Sequence, residues 1–300
     1  MDLNWLEDFL ALAEQHSFSR AADCRNVTQP AFSRRIRALE EWIGVPLFIR
    51  SAQGVSLTAA GAFLQTHAET ITRELYRVRR ESQAMAERAT ATLYFAATHA
   101  LSFTFFPGWI RRHIDFEGLG TLNLMSDSME ACEQIMLDGK AHFLLCYHHP
   151  MAPTRFAPER FPSVTVGGDV LVPLSAPGRD GRPVWPAAGG AQAPTRRLAY
   201  SNSSGLGRIL SAIQTGSVVG SETVFTSHLA ATLLTMARQG HGLAWLPQTL
   251  ADDDLAAGRL VAAGAADLNI PVEIRIFRDT SCRGSAADAI WQRLTQQTAT

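Results

Sequence analysis

Leu3, Leu6, Phe9, Leu10 and Leu12-Ala13 recur at the spacing of one apolar helix face. A second short helix is predicted over Phe18–Cys24 with Ser17 as its cap, followed by a tight break at Arg25-Asn26-Val27, where Asn26 tolerates a left-handed turn. Thr28 caps a third helix, which carries Pro30 in its first turn, where a missing N–H costs nothing. It runs through Phe32, Ile36 and Leu39 to about Trp42. Residues 43–50 predict a turn and strand, 51–54 a hairpin tip and 55–57 the return strand. Thr58 caps a long helix reaching to about Arg88, in which Leu64, Ala68, Ile71, Leu75, Val78, Ser82 and Met85 alternate by four and three as in a heptad seam interrupted by one serine. That stripe packs either on its own domain or on a second copy of the chain. So long a helix has little to pack on in so small a domain, which favours dimerisation through Leu64, Ile71, Leu75 and Val78.

Ala89–Ala91 reads as a hinge, and beyond it apolar strands alternate with helical stretches, the signature of an α/β fold. Strands are predicted at 92–97, 121–125, 143–147, 170–175, 197–200, 222–226, 242–246 and 272–277. Helices are predicted at 102–114, 128–137, 206–215, 227–240, 248–256 and 286–295, with a Pro/Gly-rich connection over 150–168.

With 300 residues and 46% hydrophobic positions, the chain has room for two domains with real cores. Formal net charge is −1, so a nucleic-acid reading must rest on local charge. From Arg20 to Arg50 six arginines face three acids, and the chain has a single lysine, Lys140, so phosphate or base contacts fall to guanidinium groups. The N-terminus carries acids where a signal peptide is basic, and no apolar run approaches the roughly 20 residues that span a bilayer, which predicts a soluble, cytoplasmic protein without membrane contact. Cys24, Cys132, Cys146 and Cys282 are scattered and form no C-x-x-C, which predicts reduced thiols and no metal site.

Two short helices, a tight turn and a polar third helix form a helix-turn-helix pattern. On the third helix Ala31, Phe32, Ile36 and Leu39 face inward, while Gln29, Ser33, Arg34 and Arg37 lie opposite. Gln29 suits an adenine edge and Arg34 a guanine; Arg35 or Arg37, and Arg50 in the wing, suit phosphates. The run from Val27 through Thr28-Gln29-Pro30-Ala31-Phe32-Ser33-Arg34-Arg35 to Glu40, then Gly44-Val45-Pro46-Leu47-Phe48 and Leu57-Thr58-Ala59-Ala60-Gly61, resembles the signature of LysR-type transcriptional regulators. The resemblance implies an N-terminal all-α winged helix-turn-helix (1–58) and a dimerisation linker helix with hinge (59–91). It further implies a C-terminal α/β two-lobed domain like the periplasmic binding proteins (92–300), with lobe one at about 92–165 and 270–300 and lobe two at about 166–269. DNA contacts are expected at Thr28, Gln29, Pro30, Ser33, Arg34, Arg35, Arg37 and Arg50. The implied partners are a double-stranded DNA operator, a second copy in a homodimer or homotetramer, RNA polymerase, and a small-molecule anion or oxidant as effector, with no cofactor.

His99-Ala100-Leu101-Ser102, Tyr200-Ser201-Asn202-Ser203 and Gly242-Leu243-Ala244-Trp245-Leu246-Pro247 are similar to the hypochlorite-responsive subgroup of that family. Sensing in that subgroup is tied to methionine oxidation, but here Leu206 and Leu229 stand where methionines are expected. Oxidation is left to Met125, Met129 or Met136, or to Cys132 or Cys146, although most buried Met and Cys only pack.

In two-lobed α/β domains ligands bind beyond the C-terminal ends of strands, against helix N-termini. Thr98, His99 and Ser102 follow one strand; Ser126-Asp127-Ser128 follow the next; Ser201, Asn202, Ser203 and Ser204 follow the strand ending at Tyr200; Ser227 and His228 open another helix. These residues suit a small anion or carboxylate, and the serines suit equally the bland role of helix caps. His148-His149 is weak evidence for a metal, since neighbours on a strand face opposite ways. The chain has no P-loop, no G-x-S-x-G and no dinucleotide fingerprint, which argues against an enzyme. A solute-binding receptor would account for the C-terminal half only.

Overall fold

The computed structural model describes residues 2–51, 54–86, 92–113, 121–152, 154–187, 194–213, 221–282 and 285–297. The predicted hinge at 89–91 and two residues of the wing tip, 52 and 53, lie outside them. The chain divides into two compact units, one centred on Met1–Ala86 and the other on Glu87–Met136 with Ala141–Thr300.

The first unit is α1 (Leu3–Gln15), α2 (Phe18–Cys24), α3 (Gln29–Ile43), the antiparallel strands β1 (Phe48–Ser51) and β2 (Gly54–Leu57), and α4 (Ala59–Ala86). Its core is the predicted one: Leu6, Phe9 and Leu12 of α1 meet Phe32, Ile36 and Leu39 of α3. Asn26 takes the left-handed conformation with φ +52°, and Gly44 at φ +88° ends α3. Ser17 and Thr28 occupy cap positions in extended backbone, but neither side chain makes a capping bond. Thr58 does cap, since its Oγ accepts from the Gly61 N–H at 2.9 Å. The Leu47 carbonyl accepts from Thr58 N at 2.9 Å and lies so close to Gly61 that a Cβ there would sit 2.1 Å from it. The glycine that ends the Leu57–Gly61 motif is thus required for α4 to start against the wing.

The seam on α4 splits between two faces. Ala68 and Thr72 are buried, and Leu64 packs against the unit's own core, so Leu64 departs from the dimerisation assignment. Ile71, Leu75 and Val78 are exposed, as is Phe63, which the heptad reading omitted and whose ring lies 4.7 Å from that of His67, tilted by 60°.

The second unit is an α/β fold of two lobes. In chain order it runs β3 (Leu93–Thr98), α5 (His99–Thr104), α6 (Phe106–His113), β4 (Leu122–Asp127), α7 (Met129–Leu137), β5 (Phe143–His148) and β6 (Ser163–Ser175). It continues through β7 (Thr195–Tyr200), α8 (Gly205–Ile213), β8 (Ser221–Ser227), α9 (Ala230–Arg238), β9 (Ala244–Pro247), α10 (Gln248–Ala256), β10 (Val261–Ala262), β11 (Ile270–Arg278) and α11 (Ser285–Gln297). One seven-stranded sheet has the order β10-β6-β11-β5-β3-β4, with β9 also on β6; β7 and β8 form a parallel pair. Strand β6 is the crossing strand. Its first part pairs with β11, and from Leu171 onward it pairs with β9 and β10 of the other lobe.

Two predicted boundaries fail for identifiable reasons. The helix expected over 102–114 is two helices broken at Phe105, because Pro107 supplies no N–H to continue the first and sits instead in the opening turn of the second. The Pro/Gly-rich stretch read as a connection to residue 168 is already strand from Ser163. Gly167 and Gly168 pair with Ile274 and Glu273, and a Cβ on Gly167 would meet the Phe105 ring at 2.9 Å. These glycines mark close approach inside a strand rather than a turn.

Candidate functional sites

On α3, Thr28, Gln29, Pro30, Arg34 and Arg37 are exposed and Ser33 is half-buried, while the opposite face is sealed in the core. Arg50 lies in β1; its side chain is outside the described residues. Arg35 departs from this set. Its Nη1 reaches Asp8 Oδ2 at 3.3 Å, and Arg25 Nε reaches Asp8 Oδ1 at 2.9 Å. Asp8 is fully buried, so two guanidinium groups offset the cost of burying its charge. Arg35 therefore braces α3 on α1, while Arg34 and Arg37 face solvent. The sequence placed Asp8 on α1 but gave no sign that it would claim Arg35, because the pair is 27 residues apart.

In the second unit a solvent-open cleft of about 380 Å³ lies between the lobes. Its walls are the ends of β3 and β4 and the first residues of three helices: Met129 of α7, Gly205 and Leu206 of α8, and Ala230 of α9. Each of those ends carries the positive pole of its helix dipole, although at α7 two first-turn N–H groups, those of Glu130 and Ala131, are already taken by the Ser203 carbonyl and Ser128 Oγ. Of the predicted polar residues, Thr98, His99, Asp127, Ser128, Ser204 and His228 line the cleft. The Thr98 hydroxyl is buried without a hydrogen-bond partner. The His99 and His228 rings lie 5.7 Å apart, one from each lobe.

Ser102 and Ser126 stand behind His99 rather than on the wall. Ser126 Oγ lies 3.1 Å from His99 Nδ1 and donates to Ser102 Oγ at 3.0 Å, and Ser102 Oγ donates to the His99 carbonyl at 2.7 Å. This chain orients the imidazole. Ser102 lies inside α5 and caps nothing, whereas Ser128 accepts from the Ala131 N–H at 3.3 Å and does cap α7. Ser201 and Ser203 bond to each other at 2.8 Å, and the Ser203 carbonyl accepts from Glu130 N of the opposite lobe; they and Asn202 are not on the cleft wall. Ser227 ends β8, and α9 begins only at Ala230, with Ser227 Oγ accepting from Leu229 N.

Met129, Tyr147 and Leu206 line the cleft without having been singled out for it. Tyr147 had a legible signal, since it lies near the C-terminal end of a buried strand, the same rule that located Thr98. Burial pushes its hydroxyl well above the ordinary phenol range, and it donates to Asp169 Oδ2 at 2.9 Å. Asp169 sits on the crossing strand and also accepts from Thr249 N at the start of α10. Tyr147 thereby ties the cleft floor to the strand shared by both lobes.

The buried thiols are poor oxidation targets. Burial pushes Cys132 up to about 12 and Cys146 higher still, and the thiolate is the reactive form. At pH 8 a thiol-reactive disulfide reagent is expected to titrate Cys24 alone in the folded chain and all four cysteines after unfolding. Rapid reaction of a second thiol in the native protein would contradict this. Among the described residues no group of three or more His, Cys, Asp or Glu is placed to hold a metal ion, and no helix is long and apolar enough to cross a membrane.

A helix-turn-helix unit joined to a two-lobed α/β unit with an interlobe cleft defines a DNA-binding transcription regulator with an effector-binding domain, not an enzyme. Residues 3–62 match the bacterial regulatory helix-turn-helix protein, lysR family, and residues 86–299 match the LysR substrate binding domain. The chain belongs to the LysR family of transcriptional regulators. It is similar to the HTH-type transcriptional regulator YjiE of Escherichia coli K12, 29% identical over 295 residues, covering 98% of this chain and 94% of that one. Among solved structures, full-length HypT of Salmonella typhimurium, described as a hypochlorite-specific LysR-type regulator, is 27% identical with a TM-score of 0.59 over 100% of this chain and 99% of that one. DarR of Vibrio fischeri, in complex with DNA, is 27% identical with a TM-score of 0.57 over 98% of each chain.

Proposed function

We propose that the effector is a small anion held in the interlobe cleft and that its binding alters affinity for a palindromic operator read by paired α3 helices. The observation that carries this is convergence. Three helix N-termini, two imidazoles and an unpartnered threonine hydroxyl meet at one cleft, and each favours a negatively charged, hydrogen-bond-accepting guest. Asp127 also lines the cleft, where its carboxylate is engaged by the Ser128 N–H at 2.6 Å. Thr28, Gln29, Pro30, Ser33, Arg34, Arg37 and Arg50 form the DNA-reading set, and Ile71, Leu75 and Val78, with Phe63, form the seam to a second copy.

A second reading has its own observation. Met129 places a thioether on the cleft wall, packed against Gly205 of the opposite lobe, and a sulfoxide there would put a polar oxygen between the lobes. HypT, described as hypochlorite-specific, supports this reading; Leu206 and Leu229 weaken it. Fluorescence anisotropy on the DNA upstream of the protein's own gene distinguishes the two. Affinity that changes with added anion supports the first. A change produced by mild hypochlorite and reversed by methionine sulfoxide reductase supports the second and sinks the first if anions do nothing.

Arg34→Ala is expected to weaken operator binding by about 1–3 kcal/mol, because a guanidinium on a guanine edge contributes that much discrimination. Binding to scrambled DNA falls less. Equal losses on both sequences would move Arg34 from base reading to phosphate contact.

A further inference from the structure

A second hollow of about 240 Å³ adjoins the cleft and shares Met129, Tyr147 and Gly205 with it. Its other walls include His148, His149, Thr154, Arg208 and Ile209. Three basic side chains suggest a second anion subsite, but their partners decide otherwise. Arg208 Nη1 donates to Glu133 Oε2 at 2.7 Å, and Glu133 is fully buried, so the guanidinium charge is matched within the wall. Burial, followed by the nearby Arg275, holds His148 below the usual imidazole range, which keeps the ring neutral at pH 7. Its Nδ1 lies 3.2 Å from Glu273 Oε2, which puts the proton on Nδ1 and leaves Nε2 as an acceptor. His149 Nδ1 accepts from Met151 N at 3.2 Å, which leaves Nε2–H as a donor. The annex is therefore uncharged overall and offers one acceptor, one donor and a threonine hydroxyl beside Ile209. It is a shallow, solvent-open hollow that shares three wall residues with the cleft, as suits an extension of that cleft rather than a separate pocket.

We propose that the effector is two-ended: an anionic head in the cleft joined to a short hydrocarbon tail with an uncharged hydroxyl or amide terminus in the annex. This rests on the small-anion reading above and adds the chemical class of the guest. A dicarboxylate of the same length is disfavoured, because the Arg208 guanidinium on the annex wall is already paired with Glu133.

Calorimetric titration of the full-length protein with acetate, 6-hydroxyhexanoate and adipate tests it. 6-Hydroxyhexanoate is expected to bind at least about tenfold tighter than either acetate or adipate, through its buried methylenes and terminal hydroxyl. Ala152→Trp, which fills the annex from a half-buried loop position, is expected to abolish that advantage and leave acetate binding unchanged; Thr154→Phe serves as the second variant. Acetate binding with no gain from the longer chain, or a gain that survives both variants, overturns the annex while leaving the anion reading intact. Equal binding of adipate overturns the uncharged terminus. Failure of all three carboxylates to bind overturns both the annex and the small-anion reading.

Discussion

Ile71→Asp is expected to convert the protein to monomers in sedimentation velocity and to lower operator affinity on the order of 100-fold, the loss that follows when two half-sites are no longer bound by linked modules. Ile71, Leu75 and Val78 are 41%, 44% and 51% exposed in a single chain and succeed one another by four and three residues. The heptad spacing of this exposed stripe fits cover by a second α4. An aspartate there would be buried at the seam without a partner. Because Ile71 faces away from the unit's own core, the helical content of the mutant should be unchanged, so a monomer could not be ascribed to unfolding. An Ile71→Asp protein that stays oligomeric would remove the seam from α4.

Gly61→Ala should cost the first unit about 3 kcal/mol, at the upper end for overpacking, because the added methyl meets backbone rather than a movable side chain. The Leu47 carbonyl is 2.1 Å from the built Cβ and is held in place by the Thr58 N–H, with the Leu57 side chain 2.9 Å away. For a unit of this size that corresponds to a melting shift of about 10 °C or more, read by circular dichroism. A shift within about 2 °C would mean that α4 can slide away from the wing, and that the motif glycine has another reason.

The DNA-reading half was largely legible because its signals are local. A helix face repeats within a few residues, a left-handed turn selects Asn26, and a polar face opposite Phe32, Ile36 and Leu39 exposes itself by default. The cleft was half legible. Helix starts after strand ends are local patterns too, and they located Thr98, His99, Asp127, Ser128, Ser204 and His228. The rule that found them could not say which serines reach the wall, because that depends on where two lobes meet.

What the sequence determined alone, then, was set by spacing along the chain: the helix-turn-helix, the alternation of strands and helices, and the family signature. Tertiary structure decided which partner each side chain takes. Arg35 turned to Asp8 because a buried carboxylate must be matched. Leu64 turned to its own core while Ile71 did not. Ser102 became a support for His99 rather than a cap, and Gly167 became strand because the Phe105 ring lies against it. The physical reason is common to all four. Burial and hydrogen bonding between distant segments are worth more than local propensity, and their partners lie tens of residues away, where spacing carries no information.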